Sequence, residues 1–239
     1  MTTEVDICNL ALSAMGTRST IAPLDASGFI AQVTESSPEA VQCKLWFPTV
    51  RDSMLRKHLW NFARTVYNLV QLRALPGTPE NTASVVNHLF VPETYPSPPW
   101  RYEYQYQPDV IRIRYIWPQG QPVPPASFDQ YYSQTNRPVP FEVYQRSGVK
   151  VVGTNERNAI VVYTRRISDP NLWDSDFTLA LISELAARLA IPLSGDLKLM
   201  QLNKQVAIND FTEARVTDGN EGLTEQVHPM ADWISARDD

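Results

Sequence analysis

The apolar positions of the first fifteen residues fall on one stripe. Val5, Cys8, Leu12 and Met15 recur at helical spacing. Thr3 with Asp6 three positions on has the form of a capping box, which satisfies two of the free amides that open a helix. Gly16 can adopt positive φ and stop the helix, and residues 17–35 read as a loop. Ser36-Ser37-Pro38-Glu39 is a second helix start. Serine supplies the cap, proline fits the first turn, and Glu39 suits the positive end of the helix dipole. Val41, Leu45, Leu55, Leu59 and Phe62 carry the helical pattern to about Ala63. Pro48 lies inside it and is expected to kink or interrupt it.

From Thr65 the period changes, and TVYNLVQLRAL reads as a strand or an extended arm. Thirteen of the nineteen prolines then lie between Pro76 and Pro140, which favours short strands, edges and long loops. Within that region Trp100, Tyr102, Tyr104 and Tyr106 alternate with Arg101, Glu103, Gln105 and Gln107, the pattern of a strand with one aromatic face. Residues 110–117 alternate too, and 141–144, 149–152 and 159–167 are further strand candidates. Gln145-Arg146-Ser147-Gly148 reads as a hairpin loop between two of them.

After Pro170 the helical period returns. Phe177 to Ile191 is almost wholly apolar, broken only by Thr178, Ser183, Glu184 and Arg188. A helix apolar on nearly every side is buried or clamped between neighbours. Asp174 or Ser175 is its expected cap and Pro192 its expected end. A last helix, from Ser194 or Asp196 to Asp218-Gly219, would be roughly 30–35 Å long. The predicted fold is therefore α+β. Both chain ends, 1–63 and 171–217, form a helical bundle; 64–170 form an inserted Pro-rich antiparallel β unit; 218–239 form an acidic C-terminal arm.

Composition adds an asymmetry. The net charge of −5 conceals +1 over residues 1–209 and −6 over 210–239. Such a split suggests an interaction tail. Leu223, Val227, Met230 and Ile234, with Trp233 beside them, form a helix-like apolar stripe in that tail, although Pro229 argues against one straight helix. No apolar run reaches about 18 residues, so no membrane-crossing helix is expected. The N-terminus has no basic head followed by an apolar core, so no signal peptide is expected either. Cys8 and Cys43 both fall in apolar-periodic segments and are read as buried free thiols, in a reducing cytoplasm, rather than as a disulfide.

Motifs for chemistry are few. His58, His88 and His228 are isolated, and no His-x-x-x-His or Cys-x-x-Cys marks a metal site. The phosphate-cradling glycine motifs and the G-x-S-x-G elbow are missing from the sequence. Asp174 and Asp176 read as helix-start acids rather than as a catalytic pair. No catalytic, cofactor or metal residue is therefore assigned, and a non-enzymatic role is expected. The aromatic face Trp100–Tyr106 would stack on bases or sugars only if exposed. Packing on a core or a neighbouring subunit is the simpler reading, because no dense basic cluster accompanies it. Arg112 and Arg114 share a strand face and join the aromatic residues as candidate subunit-interface positions.

An ordered set of short motifs resembles the head-to-tail adaptor family of short-tailed bacteriophages, the tail tubular protein A type. Asp6-Ile7-Cys8-Asn9-Leu10-Ala11-Leu12 with Gly16 is similar to its opening. Arg51-Asp52, Leu55 and Trp60-Asn61-Phe62-Ala63 are similar to its second helix and exit. Trp100-x-Tyr-x-Tyr, then Gln107-Pro108-Asp109 and Ile111-Arg112, follow its strand pattern, with Gln107 where leucine is more usual. Tyr163, Asp169, Trp173-Asp174, Phe177, Ala180, Leu185-Ala186, Leu189-Ala190 and Leu193-Ser194-Gly195-Asp196 resemble its third helix and following turn. The matches span about residues 5–215.

The resemblance implies a structural virion protein: a twelve-fold ring beneath the portal that extends the DNA channel and carries the tail nozzle protein, a tail tubular protein B type. It implies assembly in the host bacterial cytoplasm, and residence at the head–tail interface of the virion. Double-stranded DNA would pass without sequence-specific binding, and no membrane is involved. The arm residues Leu223, Val227, Met230, Trp233 and Ile234 are then the expected portal-binding set. Two other classes stay open: a virion-associated cell-wall hydrolase working through a carboxylate pair, and a DNA- or carbohydrate-binding module using the aromatic strand.

Overall fold

The structure, a computed structural model, describes residues 2–17, 20–21, 28–33, 36–75, 78, 95–118 and 139–221. Four α-helices are present among them: α1 Glu4–Ala14, α2 Pro38–Lys57, α3 Ser175–Ser194 and α4 Leu197–Asn220. Among the described residues seven strands lie between α2 and α3: β1 Arg64–Asn68, β2 Gln71–Ala74, β3 Tyr102–Gln105, β4 Val110–Trp117, β5 Phe141–Arg146, β6 Val149–Thr154 and β7 Ile160–Arg165. The fold is α+β with antiparallel sheets, as the periodicity predicts.

Local chemistry explains the helix ends. The Thr3 hydroxyl accepts the Asp6 amide at 3.1 Å, and the Thr3 amide donates to Asp6 Oδ2 at 2.9 Å, closing the capping box. Ser37 is the residue that caps α2, accepting the Ala40 amide at 3.3 Å. Asp196 caps α4 by accepting the amides of Lys198 and Leu199. The two internal prolines do not act as expected. α2 is continuous through Pro48, where the buried side chains of Phe47, Val50 and Met54 offset the lost hydrogen bond. α3 runs past Pro192 and ends at Gly195, whose φ of 68° is left-handed and whose amide bonds Ile191 O at 3.0 Å. Pro192 lies in the last turn, where its missing amide leaves only the Arg188 carbonyl without its helical donor.

α3 is the centre of the bundle and packs on α1, α2 and α4. Phe177, Ala180, Leu181, Leu185, Leu189 and Ala190 are fully buried on it. Burying each leucine stabilises by about 1.5–3 kcal/mol. Contrary to the sequence expectation, α3 is long and apolar enough to cross a membrane by length and composition alone, yet half of that span is buried within this fold. Trp60, 1% exposed, closes the bundle where the chain leaves it. Its ring meets Phe177 edge-on at 5.0 Å and His58 at 4.9 Å, and its Nε1 donates to Met54 O at 3.0 Å. Cys8 and Cys43 are both free and buried in this core.

The strands form two sheets, ordered β1-β7-β4 and β2-β3-β6-β5. The stretch after Thr65 is not one strand. It breaks at Leu69-Val70, where the Leu69 amide bonds Ala159 O and Val70 O accepts the Gln105 amide, so β1 and β2 enter different sheets. The β5–β6 hairpin turns on Ser147 (φ 49°) and Gly148 (φ 81°) alone, while Gln145 and Arg146 are paired with Lys150 and Val149. A second core, including Tyr102, Tyr104, Val152, Val161 and Tyr163, fills the β unit. Polar ties join it to the bundle. Arg56 Nη1 donates to Ile111 O at 2.8 Å, and Arg166 Nε to Asp52 Oδ2 at 2.9 Å.

Candidate assembly surface

The surface of the bundle carries large apolar side chains besides those buried in its core. Val41 and Leu45 project from α2 one turn apart, Leu179 and Ile191 from α3, and Leu202, Val206 and Val216 from α4; Leu45 and Leu202 are each 63% exposed. Part of this face is concave. A groove of about 590 Å³ lies between α2, α3 and α4, floored by Leu45, Trp46, Ala187, Ile191, Pro192 and Met200. Arg188 and Lys204 also line it.

These two cations are held in place. Glu184, buried on α3, accepts Lys204 Nζ at 2.6 Å and Arg188 Nη2 at 3.4 Å, and the Arg188 guanidinium lies over the Trp46 ring at 5.8 Å. Two of the polar breaks in the apolar helix, Glu184 and Arg188, thus belong to one ion-pair group, while Thr178 bonds Asp174 O and Ser183 bonds Asp210. Glu184 anchors Arg188 on its own helix and Lys204 across the α3–α4 joint, and both cations line the groove. An apolar floor with fixed charges at its edge has the make-up common to protein-recognition surfaces.

The sequence-expected interface residues fall differently. Trp100, Tyr102 and Tyr104 are buried in this chain's own β unit and are unavailable to a neighbour, a base or a sugar; Tyr106 is half-buried. Gly153 on β6 makes room for Trp100, since any Cβ there would meet the Trp100 ring at 2.4 Å. Trp100 Nε1 donates to Glu142 Oε2 at 2.9 Å. Arg112 is exposed, whereas Arg114 turns inward to Thr164 Oγ1 and Trp60 O. Glu103, expected on the polar face, is fully buried and held by Arg73, Arg146 and the Tyr144 hydroxyl. The arm residues Leu223, Val227, Met230, Trp233 and Ile234 lie outside the described residues.

Asp218, expected at the end of the last helix and the start of the arm, lies within α4 and is buried. Its Oδ2 lies 3.0 Å from His58 Nε2, its Oδ1 accepts the Asn61 amide at 2.8 Å, and its carbonyl accepts Asn61 Nδ2 at 2.7 Å. This fastens the end of α4 to the exit of α2. Asp174 and Glu221 each bring a carboxylate oxygen to within 4.8 Å of Asp218. Asp174 sits at the cap position of α3 but makes no capping bond with its side chain, and its Oδ2 is buried without a partner. Burial, and then the Glu221, Asp218 and Asp176 carboxylates, push its carboxyl up to about 6. Three such oxygens are a donor set for a cation, but Asp218 already has both oxygens engaged, which fits a structural clasp better. The signal for this clasp was the Asp218-Gly219 helix end and the isolated His58, neither of which reveals the other in sequence. No protein-family model and no curated protein matches this chain.

Proposed function

We propose that this chain is the head-to-tail adaptor of a short-tailed phage virion: a ring subunit that joins the portal to the tail nozzle protein and extends the DNA channel. The observation that carries this reading is the apolar face of α2, α3 and α4, with its groove and anchored cations, on helices that already have a full core. A chain that spends so many leucine and valine side chains on its surface gains by covering them with another subunit. The ordered motif resemblance supplies the kind of assembly, a twelve-fold ring. Labelling purified particles with antibody to this chain tests the reading: label at the portal vertex supports it, and particles without label reject it.

A hydrolase is the second reading, favoured by one observation. A carboxyl raised to about 6 beside other carboxylates, as at Asp174, is the state of a general acid. Clearing of peptidoglycan by the purified chain, lost in Asp174→Asn, would establish it; no clearing rejects it.

A further inference from the structure

A line of side chains connects the far end of α4 to the apolar groove. Spacings of four, three and four put Lys204, Ile208, Phe211 and Arg215 on one face of that helix. Ile208 and Arg215 are exposed and Phe211 is half-buried. The Phe211 ring has Lys57 Nζ over it at 5.6 Å and the Arg215 guanidinium at 5.8 Å. This face therefore runs from two exposed cations, past two apolar side chains, to Lys204 at the groove. There Arg188 joins Lys204, and Glu184 offsets one of the two, which leaves one positive charge in surplus beside the apolar floor.

The chain that follows α4 has the opposite character. Residues 222–239 carry four acids, Glu225, Asp232, Asp238 and Asp239, against Arg237, for a net charge of −3. Their large apolar side chains are Leu223, Val227, Met230, Trp233 and Ile234. We propose that this segment turns back along α4 and seats Met230, Trp233 and Ile234 in the groove of its own chain. The lengths agree. From Asn220 back to Lys204 the helix rises about 24 Å, which extended chain covers in roughly 7–8 residues at about 3.3 Å each. Glu225 then passes Arg215 and Lys57, and residues 230–234 arrive at the groove, with Asp232 in reach of Lys204 and Arg188. Trp233 supplies a large apolar anchor for the floor. The tether favours a chain's own groove over a neighbour's, because it holds the segment at an effective concentration on the order of millimolar. This inference concerns the free chain and does not rest on the adaptor reading. In an adaptor, the segment would shield the groove until a partner displaced it.

The test uses the full chain with Met230 replaced by the photo-cross-linking residue p-benzoylphenylalanine, irradiated at low micromolar concentration and mapped by peptide mass spectrometry. The expected cross-links fall within single chains, on peptides that hold Leu45 and Trp46, Ala187 to Pro192, or Met200 to Lys204. Raising the salt from about 0.05 M to 1 M should lower their yield several-fold, since the Debye length falls to about 3 Å. Adding Ile191→Glu, which puts a charge in the floor, should lower it at least as much. Cross-links only between chains would assign the groove to a second copy and overturn the proposal. Cross-links confined to other surfaces, or none at all, would overturn it too. If the Ile191→Glu chain does not fold, the map and its salt dependence decide alone.

Discussion

Replacing Asp174 by asparagine should stabilise the fold near neutral pH and change nothing in acid. Its carboxyl is raised from an ordinary 3.8 to about 6 by burial and by the neighbouring carboxylates. Between those values the folded chain keeps a proton that the unfolded chain has released. Stability therefore falls as pH rises from about 4 to about 6, and the loss persists above that window. At about 1.4 kcal/mol per pH unit the full effect would be about 3 kcal/mol. Asp174 is only partly buried, and screening by water reduces this to about 1–2 kcal/mol. Asparagine removes the charge at no cost in capping, because the aspartate side chain makes no cap bond. Thermal unfolding followed by circular dichroism should give the variant a melting temperature higher by about 2–6 °C at pH near 7.5, shrinking to nothing near pH 3.5. Equal melting temperatures at neutral pH, or a gain that persists in acid, would refute the argument.

Other substitutions separate packing from assembly. Gly153→Ala drives a Cβ into the Trp100 ring, and should cost about 1–3 kcal/mol in denaturant unfolding. Glu103→Gln removes the buried carboxylate charge that Arg73 and Arg146 both contact and should cost about 3–5 kcal/mol by the same measurement. His58→Ala strips Asp218 of one partner, and hydrogen exchange at the end of α4 should speed up more than exchange in α3. Leu45→Glu alters only an exposed position, so the melting temperature should move by about 1 °C or less, while binding to portal rings measured by sedimentation should be lost.

The bundle was largely legible because its signals are local. Thr3 with Asp6 and Asp196 before Leu197 each act within a few residues, and each does its expected work. What escaped depends on partners far apart in the chain. Glu103 looks solvent-facing by alternation, but Arg73 and Arg146 lie 30 and 43 positions away and meet it inside the sheet. The break at Leu69-Val70 has no turn residue to announce it; it is set by strands that arrive later, β3 and β7. Asp218 reads as a helix-end acid, and only its 160-position partnership with His58 makes it a clasp. The same limit applies to the candidate surface. The composition of α3 showed that two apolar sides need cover, but not that Glu184 would fix Arg188 and Lys204 beside the groove.

Native mass spectrometry of the full chain mixed with purified portal rings tests the central claim most directly. The adaptor reading predicts one complex of twelve chains on each portal ring, with Leu45→Glu failing to form it. A chain that stays monomeric beside intact portal rings would contradict it.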